Sequence, residues 1–188
     1  MKTFLFYIAN VLLFAIPLGL FEVYLERFKS GWDGEFFDPF WGKKINVAWM
    51  DKAFEKTYVT PYHIIMFGIV FPGIIALEYL GLHCVAGHGW WRLDFWGISI
   101  IPLAFIPAVL VGNMVFEDFL WFVFNSYCWW FKVRFPDALA KLFRGEFKWH
   151  TKWIDIPLVG IKLPRFYIWA TAIAIILLII QEAIIKYL

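Results

Sequence analysis

Four stretches of mostly apolar residues, about 3–24, 62–82, 95–125 and 166–185, constrain this 188-residue chain more than any other feature. At 1.5 Å per residue, about 20 helical residues cross a hydrocarbon core of roughly 30 Å, where only helices and closed barrels satisfy every backbone N–H and C=O. The pattern predicts an all-α, polytopic integral membrane protein with four transmembrane helices, joined by connections that carry interfacial amphipathic helices. A mean hydropathy of +0.69 with only 17% charged residues sets the chain apart from soluble domains. No small-x-small cleavage site follows the first stretch, which runs on through Glu22 and Val23, so it reads as a retained span. Without internal repeats or low-complexity linkers, residues 1–188 read as a single membrane domain.

Pro17, Pro72-Gly73, Pro102 and Pro107 fall inside the first three stretches, where missing backbone hydrogen bonds kink or open a helix. The third stretch is ambiguous, because low-charge sequence continues to Phe131, about 55 Å as one helix. It is either a long helix that emerges into the interface or a crossing followed by a re-entrant helix. A break at Gly112-Asn113 would leave two very short spans.

Lys2, Arg92 and Lys186 fall on one side of a four-span chain and the other fourteen of the 17 basic residues on the opposite side. The basic side is cytoplasmic by the positive-inside rule. Connections 26–61 and 127–165 are then cytoplasmic, and both termini and the short outer connection are extracytoplasmic, in what reads as a prokaryotic cell membrane. Cys84 and Cys128 lie on opposite sides and are not expected to pair. A net charge of +2 without a Lys/Arg block argues against nucleic acid as a partner.

Aromatic residues make up 22% of the chain and crowd the two long connections, which suits contact with membrane lipids. Residues 45–58 place Ile45, Trp49, Met50, Ala53, Phe54 and Tyr58 on one helical face and Lys52, Glu55 and Lys56 on the other. A second interfacial helix starts at Pro136-Asp137, presents Leu139, Leu142 and Phe143, and stops at Gly145.

The strongest chemical signal is the run from Asn113 to Asn125, where Glu117 and Asp118 interrupt an aromatic stretch. Helical spacing aligns Asn113, Glu117 and Trp121, with Asn125 extending the row. In a centred helix over 95–125, Glu117 lies about 10 Å from the midplane, where a carboxylate must be paired, protonated or reached by water. Glu22, Glu26, His63 and His150 belong to the same membrane level, with Trp149 beside His150. Glu22, His63, Glu117 and His150 could together hold a divalent metal, iron or manganese if carboxylates dominate and zinc if histidines do. A second, outer group is His83, Cys84 and His88, preceded by Glu78, whose nitrogens and sulfur suit zinc, copper or haem. Neither group has a diagnostic ligand spacing; the alternative for His63 is an interfacial hydrogen bond near a helix start, and for His150 a side chain snorkelling between Trp149 and Trp153. No Gly-x-Ser-x-Gly motif or phosphate-cradling glycine loop is present.

The segment Glu117-Asp118-Phe119-Leu120-Trp121-Phe122-Val123-Phe124-Asn125, with Trp149-His150 and Trp153 after it, resembles a group of small, uncharacterised prokaryotic membrane proteins that pair such segments. The paired acids also resemble, more faintly, those of membrane-embedded lycopene cyclases. Those enzymes use two such segments, each with Pro two residues before the first acid, where this chain has one copy and Val115. The latter resemblance implies acid-catalysed chemistry at Glu117 and Asp118.

Two functions therefore stand as expectations. One is an enzyme acting on a lipid or isoprenoid-like substrate at the cytoplasmic face. In it Glu117, Asp118, His150 and His63 are catalytic, and Trp121, Asn125, Asn113 and Trp149 bind substrate. The other is a non-catalytic accessory or scaffolding subunit that packs against a membrane-protein partner or a second copy of itself.

Overall fold

The computed structural model describes residues 2–25, 43–46, 58–86, 91–127, 135–146 and 152–187. Four helices are long and apolar enough to cross a membrane: Lys2–Phe21, Pro61–Val85, Pro102–Trp121 and Arg165–Tyr187. The first belongs to helix α1 (Lys2–Leu25). The second is built from α2 (Pro61–Ile65), a π-helical turn (Met66–Val70) and α3 (Phe71–Ala86). The third is α4 (Pro102–Tyr127), and the fourth is α6 (Arg165–Tyr187). The short α5 (Phe135–Arg144) lies between α4 and α6 in the chain.

The chain is mostly helical, as expected, but among the described residues three short antiparallel hairpins accompany the helices. Strands β1 (Ile45–Asn46) and β2 (Tyr58–Val59) pair at the ends of the stretch expected to be an interfacial helix. Pairing at both ends rules out a helix running through Ile45 and Tyr58, and residues 47–57 lie outside those described. Strands β3 (Leu93–Phe95) and β4 (Ile98–Ile100) form the second hairpin, and β5 (Trp153–Ile156) and β6 (Ile161–Pro164) the third. The β3–β4 pair moves the start of the third helix from residue 95 to Pro102. Pro is at home in a first turn, where its missing N–H has no intrahelical partner to lose. From there α4 runs unbroken through Gly112-Asn113 to Tyr127, about 39 Å, longer than the hydrocarbon core.

Close approach of small residues holds the bundle together, since burying leucine against leucine gains little over leucine against lipid. The buried stripe of α1 includes Ala15 and Gly19, that of α4 Ala104, Ala108 and Gly112, and that of α6 Ala170 and Ala174, all at four-residue spacing. A Cβ on Gly112 would collide with Tyr7 Oη and lie 2.9 Å from Val11 Cγ2, and one on Gly19 would meet Phe124 at 3.3 Å. Glycine at these two positions therefore sets the distance between α1 and α4. The most extensive helix contacts join α4 to α1 and to α6, while α3 packs on α4 less. The third span is the centre of the bundle.

The π turn sits just before Pro72, whose ring would strike the carbonyl four residues back in a regular α-helix. Phe71 N–H instead bonds Met66 O, five residues back, and the wider turn absorbs the proline.

Contacts at the two ends fix the relative direction of the spans. Lys2 Nζ approaches Gly97 at the β3–β4 turn, and Gln181 Nε2, near the end of α6, donates to Ser99 O of β4 at 2.9 Å. Both ends of the chain therefore share a face with this hairpin. At the opposite end α5 packs on α4 and on β6. The stop expected at Gly145 is present: Gly145 (φ +72°) and Glu146 donate back to Leu142 O and Lys141 O, closing the helix. Leu142 is fully buried, and Gly145 lies against Trp153 and Lys162 of the third hairpin.

Candidate functional site

The row read from helical spacing is enclosed: Asn113 is 0% exposed, Glu117 2% and Trp121 5%. Glu117 lies about 8 Å beyond the centre of the apolar window Pro102–Trp121, toward the end covered by α5.

The amide of Asn113 has only one stable orientation. Its Nδ2 donates to Val109 O at 3.0 Å, and because a carbonyl can only accept, the amide oxygen must point away. Among the described residues neither that oxygen nor Glu117 Oε1 has a hydrogen-bond partner. Two acceptors one helical turn apart are thus buried without a donor, a costly arrangement in the absence of one.

Asp118 is half-buried beside Glu117. Tyr167, in the first turn of α6, is buried within electrostatic reach of both acids. With Phe166 and Ala170 it packs against Val111, Met114 and Val115 of α4. Sequence reading overlooked Tyr167, although its place at the entry of the fourth span puts it at the level of Glu117. Chemically, the group offers two carboxyls, a phenol and an amide oxygen inside a low-dielectric bundle, a set suited to holding or passing a proton.

His63 occupies a defined place in the first turn of α2. Thr60 caps that helix, its Oγ1 accepting from His63 N–H at 3.5 Å and lying 2.6 Å from Nδ1. A hydroxyl that already accepts from the backbone has its own proton to give, which favours the tautomer with hydrogen on Nε2. The ring stacks on Phe67 at 6.3 Å and meets Tyr62 edge-on. His63 therefore has a local structural role as a partner of the cap.

Other expected site residues cannot be placed. His150, Trp149 and His88 lie outside the described residues, as do Glu26 and Cys128, and the side chains of Glu22 and Asn125 are likewise outside the description. At the end that carries the β3–β4 hairpin His83 is buried and stacked on Tyr79 at 6.3 Å, while its neighbour Cys84 is exposed. The two point in different directions. Among the described residues no three of His, Cys, Asp and Glu converge into a group that could hold a metal ion. The hairpin at this end carries its own polar cluster, in which Arg92 Nε donates to Asp94 Oδ1 at 3.1 Å and Ser99 Oγ to the same oxygen. No protein family matches the chain, and no curated protein or solved structure is significantly similar to it.

Proposed function

We propose that the chain is a small membrane enzyme acting on a lipid or isoprenoid-like substrate, with Glu117 and Asp118 exchanging a proton with it. The observation that carries this reading is the near-complete burial of Glu117 within a membrane-spanning helix, with an oxygen that no described residue engages. Ionisable groups kept at such depth against their desolvation cost are characteristic of functional interiors. Tyr167 joins the acids as a proton partner, and Asn113 and Trp121 line the substrate's path. His150 with Trp149 belongs to the same cytoplasmic-side chemistry. The asymmetry of fourteen basic residues against three supports an orientation with both termini outside, in a prokaryotic cell membrane.

The test is comparative lipid analysis. Wild-type protein and Glu117→Gln, matched for thermal stability, are each reconstituted in nanodiscs with a total membrane lipid extract. Conversion of one lipid species by the wild type, lost in the variant, is the expected result. An unchanged lipid profile with the wild type, or equal turnover by Glu117→Gln, overturns the reading.

A second reading is favoured by one observation: the apolar window of the second span is only 11% buried, against 39% for the first and third. In that case the chain is an accessory subunit whose second span packs against a partner or a second copy. Native mass measurement in nanodiscs separates the two, because a monomer with turnover excludes the accessory role.

A further inference from the structure

The β3–β4 hairpin holds a conformation that its own residues resist. Phe95 pairs with Ile98, so Trp96 and Gly97 alone make the turn, and both have positive φ, +49° and +70°. Positive φ at both central residues defines a type I′ turn, whose favoured pair is Asn-Gly, and a bulky side chain in the left-handed region is an outlier. Packing inside the hairpin does not explain the tryptophan. Leu93 and Ile100 fill the buried side, whereas Trp96 is 84% exposed, its indole stacked on Phe95 at 4.7 Å.

The position of the hairpin among the spans defines what lies beside that ring. Ile100 is two residues from Pro102, where the third span starts. Ser99 is held by Gln181, from which α6 continues for six residues, about 9 Å, to Tyr187. Only two strand residues, about 7 Å, separate Ser99 from Gly97, so the turn does not rise past the level at which the fourth span ends. Lys2, the first residue of α1, lies against Gly97 there. The same end carries exposed Trp91, and exposed Tyr187 with Lys186 Nζ 5.5 Å from its ring. Rings and lysines at the ends of spans settle in the headgroup layer, apolar body toward the hydrocarbon and polar tip toward water. We propose that Trp96 is an anchor whose partner is the lipid headgroup layer, and that the left-handed turn serves to present its indole there. The contact lies at the opposite end of the bundle from α5 and is independent of any turnover at Glu117.

The test is fluorine NMR of fluorotryptophan-labelled protein in phospholipid nanodiscs. Trp96→Asn, which suits the turn, and Trp96→Phe, which keeps a ring there, each identify the Trp96 resonance by its loss. Three relaxation agents then locate the ring: a nitroxide close to the phospholipid head group, a nitroxide at the end of the acyl chain, and a water-soluble gadolinium chelate. The first should broaden the Trp96 resonance several-fold more than either of the others. Any other order overturns the proposal: strongest broadening by the chelate puts the ring in water, strongest broadening by the chain-end nitroxide puts it in the hydrocarbon core, and broadening by none puts it against protein.

Discussion

Glu117 and Glu78 are the same residue type at nearly the same distance from the middle of an apolar span, one in each half of the bundle. Their surroundings differ because their helices differ. Glu117 belongs to α4, which packs on α1 and α6 along small residues, so that closely spaced backbones leave the carboxyl 2% exposed. Glu78 belongs to α3, which lacks that density of contacts and leaves the acid half-exposed. Depth in the membrane alone therefore does not decide what an acid can do. The size of the side chains on neighbouring helices decides whether it is enclosed or left partly exposed.

The largest expected effect tests that contrast directly. In a background with Cys84 and Cys128 replaced by serine, Glu117→Cys and Glu78→Cys are treated with a lipid-soluble dipyridyl disulfide. If a packed site must open at a cost of about 3 kcal/mol, its modification is slowed on the order of 100-fold. Glu78→Cys should react quickly and Glu117→Cys about two orders of magnitude more slowly. Equal rates would mean that α4 is not enclosed and that the two acids share one environment.

The next effect comes from prising α1 and α4 apart. Gly112→Ala puts a methyl group against Tyr7 Oη and Val11, one residue from Asn113. Overpacking of this kind costs about 1–3 kcal/mol. Unfolding measured in mixed micelles should show that loss, and Glu117→Cys should become more reactive while Glu78→Cys changes less. Tyr7→Phe removes the oxygen in the clash and should restore part of the stability. Full additivity of the two substitutions would show that they do not touch.

The elements that were legible in sequence are those whose signal is local. Four apolar runs gave four helices, Gly145 stopped α5, and the spacing of Asn113, Glu117 and Trp121 predicted a shared face that is buried. The hairpins were hidden for different reasons. Residues 95–100 read as the start of a span because their apolar residues fit a helix as well as a strand, and the turn the hairpin needs is made by Trp96 and Gly97 at positive φ. Tryptophan rarely adopts that conformation, so no familiar turn signature marks the place. In residues 45–58 amphipathic spacing was real, but pairing of Ile45 with Val59 depends on a partner 14 positions away, which periodicity does not contain. Within the site, the closeness of Tyr167 to the acids depends on how two distant segments pack, and sequence marked only its level at the entry of the fourth span.

The smallest expected effect lies at the end of the bundle toward which Glu117 is displaced. There α5 packs on α4 and ends in an ion pair, with Arg144 Nε donating to Glu146 Oε1 and Nη2 to Oε2 at 3.3 Å. The bond from Arg144, helped by its charge and that of Lys141, holds the Glu146 carboxyl below its usual range. A group whose folded value is depressed stabilises the fold above its unfolded value, near 4.3 for glutamate, and loses that contribution as pH falls through the folded one. Acidification below about pH 4 should therefore loosen α5 and raise the reactivity of Glu117→Cys relative to Glu78→Cys, the ratio at each pH cancelling the intrinsic pH dependence of the reagent. The pair is exposed and screened by salt, so the rise should be smaller than that from Gly112→Ala and should shrink at high ionic strength. Glu146→Gln should remove this component of the pH response. If the ratio in that variant follows the same curve as in the parent, the acid response comes from elsewhere.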